Sequence, residues 1–190
     1  MSVRRPDILL GAGAAALVAA TVLAVPFRPD ARAPSAAAAS PVAWREVGWS
    51  APFDPWPGGR EFRCSGGGCG PELRLSIRPK IGFCNCATGV ADDDELDRVG
   101  DLDLVADEFG GSAEGRPLAI GGLPGRIRAY RVRRGGRDGE ALAIAAAANC
   151  NVVVATLSSG GSLPGTARAE GLAFLQRPEM IAWARQAVEN

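Results

Sequence analysis

The residues of this 190-residue chain with the most reactive side chains are five cysteines, which stand in a sequence without histidine. Four of them lie close together as Cys64-x4-Cys69 and Cys84-x-Cys86, and the fifth, Cys150, lies far downstream. Imidazole is the most common general base, proton shuttle and zinc ligand. Its absence excludes Ser–His–Asp and Cys–His nucleophile systems, and leaves the chemistry of thiols, carboxylates and arginines.

Structural disulfides are the first hypothesis for these cysteines. Four residues separate Cys64 from Cys69 and allow a bond across a glycine-rich turn, whereas a bond between Cys84 and Cys86 would close a strained ring. We therefore expect a Cys64–Cys69 bond and a second bond from either Cys84 or Cys86 to Cys150. One thiol of the five then remains free. Closing a loop as long as the second one stabilises a protein by roughly 4 kcal/mol in the chain-entropy model.

Metal binding is an alternative use of the same side chains. The four clustered cysteines could supply thiolates to tetrahedral zinc or to Cu(I), although their spacings differ from those of CxxC knuckles. A smaller set combines Cys84 and Cys86 with Asp92 and Asp94 of the acidic run that follows. Carboxylate oxygens also suit calcium, but this run does not fit the EF-hand template. The sequence predicts no cofactor, and zinc, copper and calcium stay open.

Thiol–disulfide exchange by Cys84 and Cys86 is a third hypothesis, because a strained bond between them would be a good oxidant. The chain contains no thioredoxin-like CxxC, P-loop, dinucleotide-binding fingerprint or Ser-x-x-Lys pair. The sequence therefore favours a role without catalysis.

Charge is segregated along the chain, although the net charge is zero. Residues 92–108 carry nine acidic side chains and one basic side chain, and residues 126–137 carry six arginines and no acid. Zero net charge argues against a general attraction to nucleic acid. We expect two solvated faces that attract each other, and the alternative is a cation site on the first run and an anion site on the second.

The amino-terminal region predicts export, and the excess of arginine over lysine, with many alanines and glycines, is typical of a GC-rich bacterial genome. Within residues 1–26, a basic start precedes an uncharged apolar run over residues 8–25, which is typical of a secretory signal or an N-terminal membrane anchor. Residues 27–43 form a Pro/Ala/Ser-rich linker. Residues 44–190 are then a single disulfide-stapled domain in the periplasm, soluble after cleavage or tethered to the inner membrane by residues 8–25.

Hydrophobic alternation predicts mostly strands in this domain. Leu73, Leu75 and Ile77 alternate with polar residues, as in a strand with one wet face that stops at Pro79. Further strands are expected in a meander over residues 117–120, 126–133, 140–147 and 151–158. The Pro-Gly pairs at 124–125 and 164–165 suit type II turns, and the strand over 126–133 has apolar residues on both faces, which a bulge would reconcile.

Helices are predicted at two places. Asp92 with Glu95 forms a box-like start to a short helix that Gly100 would end. Two C-terminal helices are expected over residues 167–176 and 178–188. The predicted fold class is therefore α+β, an antiparallel β-meander sheet with C-terminal helices packed on it, preceded by the signal or anchor segment.

The segment 44–62 is expected to be extended and rich in loops, because prolines and glycines separate its aromatic residues. These aromatics are expected to pack on the core, and ligand-facing positions for Trp49 and Trp56 are the alternative. The order of elements over the last 80 residues resembles the sandwich of photosystem PsbP-like and Mog1-like proteins. That resemblance implies a fold and transfers no activity.

The sequence thus predicts an exported envelope protein with a non-catalytic binding or assembly domain. Its partner would be an unidentified envelope protein or a small ligand, and not nucleic acid. The membrane would be contacted through the N-terminal apolar segment if that segment is not cleaved. The alternative is a periplasmic protein that handles thiols or metals through Cys84, Cys86 and the adjacent acidic run.

Overall fold

The computed structural model describes residues 43–50, 58–66 and 69–189. The strands are β1 (Ala43–Val47), β2 (Arg60–Ser65), β3 (Leu73–Lys80), β4 (Glu108–Gly111), β5 (Arg116–Ile120), β6 (Leu123–Arg134), β7 (Arg137–Ala148) and β8 (Asn151–Ser159). The helices are α1 (Asp93–Val99), a 3₁₀ turn (Leu102–Leu104), α2 (Gly165–Leu175) and α3 (Pro178–Glu189).

The described strands form one antiparallel sheet in the order β1-β2-β3-β8-β7-β6-β4, and β5 lies beside β4 on the same edge of β6. The predicted meander is confirmed as β5 to β8, in which each strand pairs with the one before it. The sequence did not indicate that β3 pairs with β8 over its whole length, Leu73 opposite Ser159 and Lys80 opposite Val152. The α+β class with an antiparallel sheet is confirmed.

Each face of the sheet is covered by different helices. The helix face carries Leu75 and Ile77 and packs against α2 and α3 in an apolar core. The opposite face, here called the ion-pair face, packs against α1 and the 3₁₀ turn. The prediction that one face of β3 is exposed to solvent is therefore wrong. Ser76 and Arg78 point to the ion-pair face and are 4% and 1% exposed.

The helix face is closed by aromatic side chains. Trp44 of β1 stacks on Phe174 of α2 with ring centroids 4.6 Å apart, and Phe62 of β2 meets the same ring at 4.8 Å. Packing of aromatics on the core is thus confirmed for Trp44. The prediction of a loop-rich segment over 44–62 is wrong at both ends, because the residues there form β1 and β2. These two strands pair with each other, with Trp44 opposite Cys64.

Proline and glycine misled the predictions of where strands end. β3 continues through Pro79, which lies beyond the last residue paired with β2 and opposite Val153, so the strand has a neighbour on only one side there. The hairpin between β5 and β6 turns at Gly121 and Gly122, both with positive φ, and not at Pro124-Gly125, which lies within β6.

Two further turn and strand predictions are corrected. Pro164 and Gly165 form no type II turn: Pro164 is the N-cap of α2, and Gly165 is its first residue. The pairing of β6 with β7 runs without a bulge. Ile127 faces the helix face and Tyr130 the ion-pair face, and both are buried because each face of the sheet is covered.

The predicted helix start is confirmed, since the Asp92 carboxylate accepts a hydrogen bond from the backbone N–H of Glu95 at 2.8 Å and Gly100 follows the helix. Among the described residues, no helix has both the length and the apolar composition needed to cross a membrane. The predicted signal or anchor segment lies outside the described residues.

Candidate functional site

The cysteines are paired as expected. Cys64 lies at disulfide distance from Cys69, and Cys86 lies at disulfide distance from Cys150, with Cα–Cα separations of 6.0 and 4.1 Å. Cys84 remains a free thiol and is buried. The second pair joins the segment after β3 to the turn between β7 and β8, and so closes the long loop.

The free thiol of Cys84 is placed for packing and not for reaction. Its sulfur approaches the carbonyl oxygen of Asn151 at 3.4 Å, and its backbone N–H donates to the carbonyl of Cys150 at 3.3 Å. Burial raises the pKa of the Cys84 thiol, and the nearby Glu95 carboxylate raises it further. Because the thiolate is the reactive species, this surrounding makes the thiol a poor nucleophile.

The predicted metal ligands are not brought together. Cys86 is bonded to Cys150, and Asp92 caps α1. The part of the chain that the structure describes holds no group of three or more cysteine, aspartate or glutamate side chains close enough to bind an ion. The set of Cys84, Cys86, Asp92 and Asp94 therefore has no common centre here.

The two charged runs contact each other, as the sequence indicated. Asp93 of α1 accepts a hydrogen bond from Arg126 Nε at 2.5 Å and another from the backbone N–H of Gly115 at 3.0 Å. Asp97 accepts from Arg128 Nη1 at 2.9 Å and from the hydroxyl of Tyr130. These contacts fix α1 against β6, and they pair Arg126 and Arg128, the first two arginines of the basic run, with carboxylates.

A buried cluster of charges lies farther along the ion-pair face. Asp101 accepts two hydrogen bonds from Arg78, at 2.7 and 2.6 Å, and contacts Lys80 Nζ at 2.7 Å. Lys80 also donates to the carbonyl of Val99 at 2.8 Å. Buried charges need such partners, so this cluster anchors the end of α1 on β3.

The other end of the ion-pair face is an open cleft of about 590 Å³. Four arginines from four strands line it: Arg63, Arg74, Arg134 and Arg137. Of these, Arg134 and Arg137 are opposite each other at the β6–β7 hairpin. Ser158 of β8 also lines it. This size is typical of a pocket for a small molecule.

The arginines of the cleft differ in how far they are paired. Arg74 Nε lies 2.9 Å from the buried Glu61, and Arg63 Nη1 lies 3.4 Å from Glu72. The side chains of Arg134 and Arg137 form no hydrogen bond or ion pair with the described residues. Within the described ranges, these two guanidinium groups thus have no partner for their donors, and both line the cleft from exposed positions.

The cleft combines its arginines with two carboxylates, Glu72 and Asp138. Burial lowers the pKa of Arg74, and repulsion from Arg134 and Arg63 lowers it further against the attraction of Glu61. Arginine stays protonated in proteins, so this lowering reflects mainly the burial of the Arg74 guanidinium, to which Arg134 and Arg63 add a smaller repulsion. An anion in the cleft would relieve that repulsion.

Several polar atoms near the cleft are buried without a hydrogen-bond partner. Among the described residues, the clearest are Trp49 Nε1, Ser76 Oγ and Thr156 Oγ1. Atoms of Glu61, Arg63 and Arg74 also belong to this group, although Arg74 and Glu61 contact each other as an ion pair. All six residues lie on or over the β2–β3–β8 part of the ion-pair face.

The two predicted ligand-facing tryptophans have different outcomes. The ring of Trp49 lies 5.7 Å from the guanidinium carbon of Arg78, next to this polar region. Trp56 lies outside the described residues. Sequence reasoning did not single out Arg63, Arg74 or Ser158, because they come from distant strands, and only the six-arginine run gave a partial signal.

Comparison with known proteins gives no functional assignment. No family model matches the chain, and no curated protein matches it. The solved structure of PA94, a protein of unknown function from Pseudomonas aeruginosa, is similar over 73% of this chain and 79% of that chain. The sequence identity is 12% and the TM-score is 0.33.

Proposed function

We propose that this chain is an exported bacterial envelope protein whose disulfide-stapled domain binds an anionic ligand without catalysis. The ligand would occupy the cleft lined by Arg63, Arg74, Arg134 and Arg137. The observation that carries the proposal is the pair of arginines at the mouth, Arg134 and Arg137, whose side chains bind no described residue. Arginine donors in a fixed fork match carboxylate and phosphate oxygens.

The geometry of the cleft supports binding more than reaction. Ser158 is the hydroxyl-bearing residue of β8 beside Arg74, and no histidine exists to act as its base. The carboxylates of the cleft, Glu72 and Asp138, and the buried Glu61 behind it are held in ion pairs. The cleft can therefore hold and orient an anion, and it offers no activated nucleophile.

Inorganic phosphate is a suitable first probe of this proposal. In an NMR titration of the purified chain, phosphate is expected to shift the backbone amide signals of Gly135, Ser158 and Gly160. A double variant, Arg134→Gln with Arg137→Gln, should weaken binding by about tenfold, because each charge-assisted hydrogen bond contributes on the order of 1 kcal/mol.

The control is Arg116→Gln, which removes one arginine charge from an exposed position on β5. It should leave phosphate binding unchanged. If phosphate shifts no signal of the cleft, or if the double variant and the control behave alike, the cleft is not an anion site.

Export is proposed on the disulfides, which persist in oxidising compartments. A reporter that is active only outside the inner membrane, fused after Asn190, should be active in cells that produce the fusion stably. Titration of the denatured protein should find one reactive thiol before reduction and five after it. A silent reporter on a stable fusion would argue against export.

The rival role in thiol or metal handling draws on one observation. Cys84 lies beside the Cys86–Cys150 bond, with its backbone N–H bonded to the carbonyl of Cys150. Thiol exchange would need the Cys84 thiolate, and burial raises the pKa of that thiol. Five free thiols without reductant, together with bound zinc or copper by elemental analysis, would favour this role.

A further inference from the structure

Two buried hydroxyl groups lie on the ion-pair face beside the residues that line the arginine cleft. Ser76 of β3 and Thr156 of β8 are directly opposite each other, and they are 4% and 0% exposed. Neither hydroxyl oxygen has a hydrogen-bond partner among the described residues. A buried hydroxyl without a partner is costly, so such a pair marks a place where a bound molecule would supply hydrogen bonds.

The strand register places this pair next to the cleft. Arg74 and Ser158, which line the cleft, are also directly opposite each other on β3 and β8. Ser76 and Thr156 are the next pair along the same face. Side chains two residues apart on a strand are separated by about 7 Å. A molecule with one end at Arg74 would therefore reach the hydroxyls with its other end, if it had the length of a six-carbon compound.

A third unpartnered atom belongs to Trp49, whose ring lies over Arg78, the residue of β3 that follows Ser76 on this face. The backbone N–H of Ser50 donates to Glu61 at 3.2 Å, and the ring of Trp49 lies over Arg78. Residues 49 and 50 thus run alongside the part of β3 that carries Ser76. Trp49 Nε1 is a buried donor without an acceptor among the described residues.

The residue that follows Ser76 on this face leaves no place for a second charged group of the ligand. Beyond Ser76, the next residue on the same face is Arg78, whose guanidinium already holds Asp101 through two hydrogen bonds. The groups left to be satisfied are two hydroxyls, each a donor and an acceptor, and one indole N–H. Neutral hydroxyl groups of a ligand can match the hydroxyls of Ser76 and Thr156.

We infer that the ligand is a small hydroxylated organic acid of about the size of a sugar acid. This inference rests on the anion-binding function proposed above and names its ligand class. The acid group binds the guanidinium groups of Arg134, Arg137 and Arg74, and the hydroxyl groups of the ligand bind Ser76 and Thr156. In the free protein, Arg74 contacts Glu61 and Ser50, and it turns to the acid group when the ligand enters.

The test compares two acids of similar size and equal charge. D-Glucuronate carries ring hydroxyls, and cyclohexanecarboxylate carries none. Isothermal titration of the full chain should show that D-glucuronate binds about tenfold more tightly, since two hydrogen bonds to buried groups contribute a difference of that order. In the double variant Ser76→Ala with Thr156→Val, the two acids should bind within about twofold of each other.

Control variants separate the two proposals. The double variant should bind cyclohexanecarboxylate as the unmodified chain does, and Arg134→Gln with Arg137→Gln should weaken both acids alike. Equal binding of the two acids by the unmodified chain overturns the hydroxyl contact and leaves anion binding intact. If neither acid binds and phosphate does not bind either, both proposals fail.

Thermal unfolding gives a readout that does not depend on the ligand. Thr156→Val keeps the shape of the side chain and removes a hydroxyl without a partner, so the free protein should unfold at a higher temperature. A lower Tm together with unchanged D-glucuronate affinity would mean that internal water satisfies the pair, and it would overturn the inference.

Discussion

The helix face and the ion-pair face of the sheet are buried in different ways. On the helix face, α2 and α3 cover the strands with aliphatic and aromatic side chains such as Phe174, Leu75 and Ile77. On the ion-pair face, α1 is held by Asp93 and Asp101, which bind arginines of β6 and β3.

This difference distinguishes a face that is buried by apolar packing alone from the face on which we propose binding. Apolar packing leaves no polar group in need of a partner, whereas the ion-pair face keeps Ser76, Thr156 and Trp49 Nε1 unmatched among the described residues. The cleft with its free arginines opens on the same face. Recognition is therefore expected on the face where polar groups remain to be satisfied.

The largest expected effect tests the helix face. Phe174→Ala should lower the free energy of unfolding by about 4 kcal/mol, because a buried phenyl ring is removed from between Trp44 and Phe62. Urea denaturation followed by circular dichroism measures this loss. Phe109→Ala is the control, since Phe109 is 48% exposed, and it should cost less than about 1 kcal/mol. Similar losses in the two variants would contradict the assignment of the core.

The next effect tests the ion-pair face. Asp101→Asn should lower the free energy of unfolding by about 3 kcal/mol, because Arg78 and Lys80 lose the carboxylate that they share in a buried place. Asp103→Asn, an exposed change of the same kind two residues away, should stay within about 0.5 kcal/mol. A small loss for Asp101→Asn would mean that this face is not held by its charges.

The smallest expected effect is a dependence of stability on pH that the ion-pair face has through Asp93 and that apolar packing on the helix face does not produce. The N–H of Gly115 lowers the pKa of Asp93, and the hydrogen bond from Arg126 lowers it further. The folded-state pKa is therefore below the ordinary value of 3.8. The contribution of Asp93 to stability is complete above that value and is lost as the pH falls through the folded-state pKa.

Asp93→Asn removes this dependence. The variant should be less stable than the unmodified chain by about 1 kcal/mol at pH 7, and the difference should shrink as the solution is acidified below about pH 4. Phe174→Ala should show a constant difference over the same range, since its loss involves no titrating group. Parallel acid profiles for Asp93→Asn and the unmodified chain would argue against the Arg126 contact.

Local patterns in the sequence predicted the local parts of the fold. Strands β5 to β8 pair with their neighbours in the chain, and the alternation of apolar residues found each of them within a few positions. The N-cap of α1 was visible because Asp92 and Glu95 stand three residues apart. The pairing of Cys86 or Cys84 with Cys150 was partly predicted by excluding a strained ring.

Long-range features could not be predicted in this way. The pairing of β3 with β8 joins segments about 75 residues apart, and no local signal specifies it. The burial of Arg78 follows from that pairing together with the position of Asp101, so the strand was interpreted as half exposed. The cleft escaped prediction for the same reason, since its arginines come from β2, β3, β6 and β7.

The bond between Cys86 and Cys150 has a consequence for the order of events during folding. Cys150 directly precedes the start of β8, opposite the end of β3, so the crosslink and the most distant strand pairing share one location. Closing such a long loop is slow, and a high share of nonlocal contacts lowers the folding rate of a chain. Oxidation at this point would hold the closed loop and convert a transient encounter of two distant segments into a lasting one.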